Sequence, residues 1–285
     1  MAIWSDLPRG QDELVTKHIV ILTQEGQTRV EFVNELRAEL LESMARKVLL
    51  FVHGFNVGFD EAIQRSAQLK SDLRYDGPII AFCWPSMKFT TASLPLVPRL
   101  YARAEKNVAR TKRHLQILLD ELCHSLEPSL IHLLAHSMGN RVLTDALSKL
   151  SIPADSKFAT VILAAPDIRA SHFRSIAAAI AASAETVTLY ASSKDRALQA
   201  ARIVSGYRRA GEGGRYVIVS PGIDSVDATA ARTDLHGHGY VTNSSQVIAD
   251  ISELLRGTPA RLRFHLRPKT THGGDEYWDI IRTKY

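Results

Sequence analysis

The chain has 285 residues, 45% of them hydrophobic, with a net charge of +5 and a pI near 9.2. A chain of this length and apolar content can bury a full core, which excludes a disordered or fibrous protein and fits one α/β domain. Its two cysteines, Cys83 and Cys123, exclude a disulfide framework and favour a reducing, cytoplasmic location, and the sequence predicts no transmembrane segment.

The apolar runs of the chain predict a mostly parallel sheet. Residues 18–23 and 28–33 are short β-prone runs around a polar turn, and they predict an N-terminal antiparallel hairpin. Continuous apolar runs, typical of strands covered on both faces, follow at residues 47–52, 79–84, 130–135, 158–165, 186–191 and 215–220. Helical segments separate nearly all of them, so we expect an α/β fold with helices on both faces of the sheet. Residues 1–256 form the predicted domain, and residues 257–285 form a C-terminal extension.

The longest predicted helix, from residue 98 to about residue 123, carries a row of basic residues. These are Arg99, Arg103, Lys106, Arg110 and Arg113. Such a row is most often a solvated helix face, and an acidic partner such as an anionic lipid surface or nucleic acid is the alternative. We therefore expect no nucleic-acid partner, and the sequence leaves homo-oligomerisation open.

A serine ends the apolar run that reaches residue 135. The sequence AHSMG at residues 135–139 places small residues at both ends of the pentapeptide, and helical periodicity follows at once. A serine on a tight strand-to-helix turn is strained, and the strain is tolerable only when neighbouring side chains are small. The pattern therefore predicts Ser137 as a nucleophile at a helix N-terminus, and an ordinary N-cap serine is the alternative.

A second turn, HGFN at residues 53–56, follows the third strand-like run and precedes a helix. Acyl transfer builds negative charge on a carbonyl oxygen, and two preset backbone N–H groups stabilise that charge. Met138, directly after the serine, would supply one donor and Phe55 the other, with Gly54 permitting close approach. An ordinary loop at a strand end is the alternative.

A serine nucleophile needs a histidine to take its proton and a carboxylate to fix the tautomer of that histidine. Asp195 directly follows an apolar run and is the favoured acid, with Asp167, one strand earlier, as its rival. His238, between two glycines, is the favoured base, with His236 as the reserve. The His-x-His pattern beside an aspartate is also found at metal sites, but further ligands at a telling spacing are missing, so we expect no metal and no cofactor.

The order of these motifs resembles the α/β-hydrolase superfamily. The motifs are HGFN at 53–56, CWPS at 83–86, AHSMGN at 135–140, AAPD at 164–167, SKDRAL at 193–198 and GHGY at 237–240. More narrowly, their succession resembles a bacterial branch of esterase/lipase-like hydrolases over residues 18–255. The resemblance implies a triad of Ser137, Asp195 and His238, with Phe55 and Met138 as oxyanion-hole donors. Residues 166–185 leave room for one helix, so we expect no large lid.

The sequence thus predicts a serine hydrolase that cleaves a carboxylic ester, or a thioester or lipid acyl bond, through an acyl-enzyme on Ser137. Its expected partner is a small acyl ester. Acyl transfer to an alcohol uses the same triad and differs only in the acceptor. A non-catalytic binding or scaffold protein on the same fold is the alternative from another class, because a fold does not fix a function.

Overall fold

The centre of the molecule is a single mixed sheet. The structure, a computed structural model, describes residues 26–88, 95–150, 156–231 and 238–281. Within these residues the strands are β1 (Val48–Val52), β2 (Ile79–Phe82), β3 (Ile131–His136), β4 (Phe158–Ala164), β5 (Ala184–Ala191), β6 (Asp224–Asp227), β7 (Leu266–Thr270) and β8 (Glu276–Ile280). They pair in the order β2-β1-β3-β4-β5-β6-β8-β7. Only the β7–β8 pair is antiparallel, so the predicted mostly parallel sheet is confirmed.

Helices cover both faces of this sheet. They are α1 (Arg29–Glu42), α2 (Phe59–Asp72), α3 (Val97–Ser125), α4 (Gly139–Lys149), α5 (Ala170–Ala182), α6 (Arg196–Ser205), α7 (Tyr240–Asn243) and α8 (Ser245–Leu255). Alternate strand residues enter different apolar layers: Leu50 and Leu133 pack with α1, α3, α4 and α5, whereas Leu49 and Leu134 pack with α2 and α8. Burial on both faces explains why the central strands read as continuous apolar runs.

The predicted N-terminal hairpin is wrong over residues 28–33, which begin α1 instead. The Glu31 N–H donates to the Thr28 side chain at 3.3 Å, and the Thr28 N–H donates to the Glu31 carboxylate at 2.7 Å. This reciprocal capping box fixes the first helical turn, and it outweighs the β propensity of the short run that follows. Residues 18–23 lie outside the described residues. The antiparallel pair of the sheet is β7–β8, at the opposite end of the chain.

The sixth parallel strand also lies later than predicted. Residues 214–216 form a 3₁₀ turn, and the strand itself is β6, whose sequence is DSVD. Its polar side chains are paired inside the protein: the Ser225 hydroxyl donates to the Ile218 carbonyl oxygen at 2.6 Å, and Asp227 accepts from the Gly214 N–H at 2.7 Å. Apolar periodicity cannot find a strand that is buried through hydrogen bonds rather than through apolar side chains.

Residues after position 256 add two strands to the same sheet. β8 pairs in parallel with β6, and Ile280 is fully buried in the layer that contains α8. Arg263, which precedes β7, is buried and forms ion pairs with Asp250 at 3.1 Å and Asp224 at 3.2 Å. A boundary between domain and extension at residues 256 and 257 stays a prediction.

Between β4 and β5 the chain forms only α5, so no large lid follows β4, as predicted. Among the described helices, none combines the length and the apolar character that a bilayer crossing requires. The carboxyl ends of the parallel strands lie on one rim of the sheet, where sites in such sheets gather.

Candidate active site

Ser137 lies on the sharp turn between β3 and α4. Its φ of 53° falls in the left-handed region, which costs of the order of 1–3 kcal/mol for a residue other than glycine and persists only where the surroundings enforce it. Two backbone hydrogen bonds do so: the Ser137 N–H donates to the Ala164 carbonyl oxygen at 2.9 Å, and the Asp167 N–H donates to the Ser137 carbonyl oxygen at 3.1 Å. The turn has the backbone geometry of a nucleophile elbow.

Gly139 and Asn140, which follow Ser137 in the chain, hold this turn in place. A Cβ atom on Gly139 would lie 2.5 Å from the His53 carbonyl oxygen, so only glycine lets the turn contact the segment after β1. The side-chain amide of Asn140 is buried and donates to the carbonyl oxygens of Ala135, Ser137 and Ala164 at 3.0–3.1 Å. Sequence reasoning missed Asn140, whose only signal was an amide in the apolar first turn of a helix.

The turn at residues 53–56 is locked by a histidine and a tryptophan. His53 donates from Nδ1 to the Gly54 carbonyl oxygen at 2.9 Å and accepts from the Trp84 N–H through Nε2 at 3.0 Å. The Trp84 indole N–H donates to the His53 carbonyl oxygen at 2.7 Å. Burial lowers the pKa of His53 to about 4, so its imidazole is neutral. Both ring nitrogens are engaged, and His53 therefore acts as a structural clamp on the turn.

The two predicted oxyanion donors lie on segments that meet beside Ser137. A Cβ atom on Gly54 would lie 2.9 Å from the Ser137 Cβ atom, which shows how closely the turn approaches the elbow. Met138 is fully buried at the start of α4, and within the described residues its N–H donates to no other group. The Phe55 ring stands edge-on to the Tyr101 ring, with centroids 5.5 Å apart. The turn after β1 thus packs closely against the turn at Ser137, and the absence of a side chain at Gly54 allows this contact.

His238 and Asp195, predicted as base and acid, form a direct pair. The His238 Nδ1 atom lies 2.7 Å from the Asp195 Oδ2 atom. The other carboxylate oxygen accepts from the Leu198 N–H at 2.9 Å, so Asp195 is also the N-cap of α6. Because an ionised carboxylate only accepts hydrogen bonds, the geometry places the proton of His238 on Nδ1, as the tautomer of a general base requires.

His136 packs against His238 and was missed by sequence reasoning. The two imidazole centroids are 4.7 Å apart, and the His136 Nε2 atom lies 3.3 Å from the His238 carbonyl oxygen. Burial, with a smaller contribution from His238, holds the pKa of His136 well below its usual value. His136 is therefore neutral, and its ring packs against the His238 ring without adding a charge. Since His136 directly precedes Ser137, this contact places His238 against the residue that leads into the elbow.

Asp167, the rival acid, is occupied by other partners. Its Oδ2 atom accepts from the Tyr101 hydroxyl at 2.5 Å, and its Oδ1 atom lies 3.1 Å from Arg209 Nε and 3.3 Å from an Arg141 terminal nitrogen. The Arg209 contact is an ion pair without hydrogen-bond geometry. The structure thus joins Asp195, rather than Asp167, to His238. His236, the reserve base, lies outside the described residues.

Residues 28–256 match a family described as α/β hydrolases of unknown function, DUF900. The chain belongs to the DUF900 family. No curated protein matches the sequence. Two solved structures that are similar are a SOBER1 variant from Arabidopsis thaliana, 12% identical over 74% of this chain and 98% of its own with a TM-score of 0.40, and MenH from S. aureus, 13% identical over 74% and 92% with a TM-score of 0.38.

Membership of DUF900 confirms the predicted α/β-hydrolase superfamily and supports a hydrolase activity. In this DUF900 protein, one end of the sheet carries a strained serine, an imidazole with a buried carboxylate partner, and a buried backbone N–H at a helix N-terminus. Such an arrangement can accept a proton, attack an electrophilic carbon and stabilise developing negative charge.

Proposed function

We propose that this DUF900 protein is a serine hydrolase that cleaves a carboxylic ester, or a thioester or lipid acyl bond, through an acyl-enzyme on Ser137. The observation that carries the proposal is the 2.7 Å contact between His238 and Asp195, with the His238 ring packed on His136, the residue that precedes the strained Ser137. If Asp195 served only as the N-cap of α6, its second carboxylate oxygen would not need to bind an imidazole.

In the proposed reaction, His238 Nε2 takes the proton from the Ser137 hydroxyl as the oxygen attacks the substrate carbonyl carbon. The resulting oxyanion accepts hydrogen bonds from the Met138 and Phe55 N–H groups, each worth about 3 kcal/mol of transition-state stabilisation. The C–O or C–S bond then breaks, and the leaving group takes the proton from His238. A water molecule, deprotonated by His238, attacks the acyl-enzyme and releases the carboxylic acid with Ser137 restored.

The electrostatic surroundings support this division of roles. The N-terminus of α4 carries a partial positive charge of about 0.5 that favours an oxyanion beside Ser137. The buried histidines His53 and His136 have lowered pKa values, so they stay neutral near neutral pH and add no repulsive charge when His238 is protonated. Asp195 stabilises the imidazolium that forms transiently.

A fluorophosphonate probe tests the nucleophile directly. We expect the wild-type protein to be labelled and Ser137→Ala to remain unlabelled. Ser193→Ala is the matched control, because Ser193 is an exposed serine on the same rim, and its hydroxyl accepts a hydrogen bond from Thr229 within the described residues. Labelling of Ser137→Ala, or absence of labelling in the wild type, would contradict the assignment.

The base is tested by turnover of p-nitrophenyl acetate. We expect His238→Ala to lose activity by several orders of magnitude, since no other imidazole among the described residues contacts Asp195. His236→Ala is the control and should stay active. An inactive His236→Ala with an active His238→Ala would transfer the role to His236.

One observation favours the alternative of a non-catalytic binding protein. The Ser137 residue is only 5% exposed, whereas the His238 side chain is 21% exposed. In the proposed enzyme, substrate would therefore pass beside the more exposed His238 ring to reach Ser137. A protein that binds acyl esters without turning them over, and that no fluorophosphonate labels, would be the scaffold rather than the hydrolase.

The proposed enzyme should prefer small ester substrates. Because no large lid follows β4, we expect esters of short acids to be turned over faster than long-chain emulsified lipids in a series of graded p-nitrophenyl esters.

The mechanism uses no metal or cofactor, so a chelator should leave the rate unchanged. Cys83 and Cys123 are free thiols, in keeping with a cytoplasmic location.

A further inference from the structure

One face of α3 carries an uninterrupted row of exposed cations. We call it the basic stripe, and it consists of Arg99, Arg103, Lys106, Arg110 and Arg113. Their spacings alternate between four and three residues, which keeps them on one face of the helix. The row is about 21 Å long at 1.5 Å per residue. All five side chains are exposed, and within the described residues none of them forms an ion pair.

The acidic residues of the helix compensate little of this charge, because two of the three, Asp120 and Glu121, lie beyond the last cation of the stripe. Residues 97–119 contain six basic residues and one acidic residue, a net charge equal to the +5 of the whole chain. The acidic residue, Glu105, pairs with Arg141, while the sixth cation, Lys112, pairs with Asp145 and is not part of the stripe. Cations three or four residues apart repel each other, and the positive end of the helix disfavours Arg99, which lies in its first turn. An external anionic surface would relieve both effects.

Apolar side chains stand at both ends of the basic stripe. Leu96 precedes Arg99 by three residues and is 47% exposed, and Ile117 follows Arg113 by four residues and is 52% exposed. The same alternation of spacings places them on the face of the stripe. Tyr101, the one Phe, Tyr or Trp residue of α3, is buried, so the helix face that carries the stripe presents none of these larger aromatic rings to bases. Cations flanked by exposed aliphatic groups fit a lipid interface better than a nucleic acid.

We propose that the basic stripe docks this protein on an anionic phospholipid bilayer. The cationic heads contact lipid phosphates, and Leu96 and Ile117 enter the boundary with the acyl chains. The inner face of the same helix contacts the turn that follows β1, through the Tyr101 and Phe55 rings. Docking therefore holds the candidate site about one helix diameter, roughly 10 Å, from the lipid surface. The inference does not depend on the proposed activity.

Vesicle co-sedimentation of the full chain tests the proposal at low salt. The vesicles are pure phosphatidylcholine, or phosphatidylcholine mixed with phosphatidylglycerol. The test variant is Arg103→Gln/Lys106→Gln/Arg110→Gln. The matched control is Arg174→Gln/Arg256→Gln/Arg261→Gln, which removes the same charge from exposed positions elsewhere. Leu96→Gln/Ile117→Gln tests the apolar ends, with Ile203→Gln/Leu262→Gln as its exposed control.

We expect binding to the anionic vesicles only, weakened by added salt. The stripe variant should lose about a hundredfold in partition, at about fivefold for each cation, and the control variant much less. The apolar variant should lose several-fold more than its own control. Equal losses in the stripe and control triples would overturn the proposal in favour of net charge. Absence of wild-type binding, or tighter binding to duplex or single-stranded nucleic acid than to vesicles, would overturn it as well.

Discussion

Two buried aspartates follow neighbouring strands, and their surroundings give them opposite characters. Asp167, after β4, is 2% exposed and lies between the guanidinium groups of Arg141 and Arg209. Asp195, after β5, is 1% exposed and divides its oxygens between a helix N-terminus and His238. A carboxylate held by permanent cations is a fixed part of the structure. One that faces a titratable imidazole can respond when that imidazole gains a proton.

The strongest way to test this contrast is Asp195→Asn. Asparagine caps a helix about as well as aspartate, so the fold should persist, but the amide no longer fixes the tautomer of His238. We expect kcat for p-nitrophenyl acetate to fall about 10⁴-fold with little change in Tm. A variant that keeps more than a tenth of the wild-type rate would remove Asp195 from the proposed triad.

Asp167→Asn should show the reverse pattern. Removing the negative charge leaves Arg209 buried opposite a neutral group, and breaking a buried pair in this way costs about 3–5 kcal/mol of unfolding free energy. Urea denaturation measures the loss, and turnover per folded molecule should stay within about tenfold of wild type. A larger loss of turnover in Asp167→Asn than in Asp195→Asn would exchange the roles of the two acids.

The smallest expected effect separates the two functions of Asp195 itself. Asp195→Ala removes the cap of α6 as well as the partner of His238, whereas Asp195→Asn removes only the latter. The alanine variant should therefore be about 1 kcal/mol less stable than the asparagine variant, with the same low kcat. Equal stability of the two would show that the hydrogen bond to Leu198 contributes nothing.

The sequence was sufficient to predict the parallel sheet and the turn at Ser137, but it left both Asp195 and Asp167 as candidates for the acid of the triad. Central strands are apolar on both faces, and Ser137 sits between small residues, so both are visible as local patterns. The choice between Asp167 and Asp195 depends on Arg209, which contacts Asp167 although β5 and α6 separate the two residues in the chain. Local pattern gives no information on which carboxylate a distant cation neutralises.

The errors have a similar physical origin. The capping box of Thr28 and Glu31 was readable in the sequence as T-x-x-E, and the β propensity of its neighbours obscured it. β6 is buried through hydrogen bonds of Ser225 and Asp227, which periodicity does not register. His136 and Asn140 act through contacts to backbone carbonyl groups, and such contacts exist only once the strands are aligned.

The position of β8 inside the sheet has a consequence for biosynthesis. β8 lies between β6 and β7, so the edge of β6 is uncovered until residue 280 has left the ribosome. At roughly 5–20 residues per second, the 53 residues from Asp227 to Ile280 take about 3–10 s to translate. During that interval the outer edge of β6 has no partner strand, and an unpaired edge of this kind is a template for pairing with another chain.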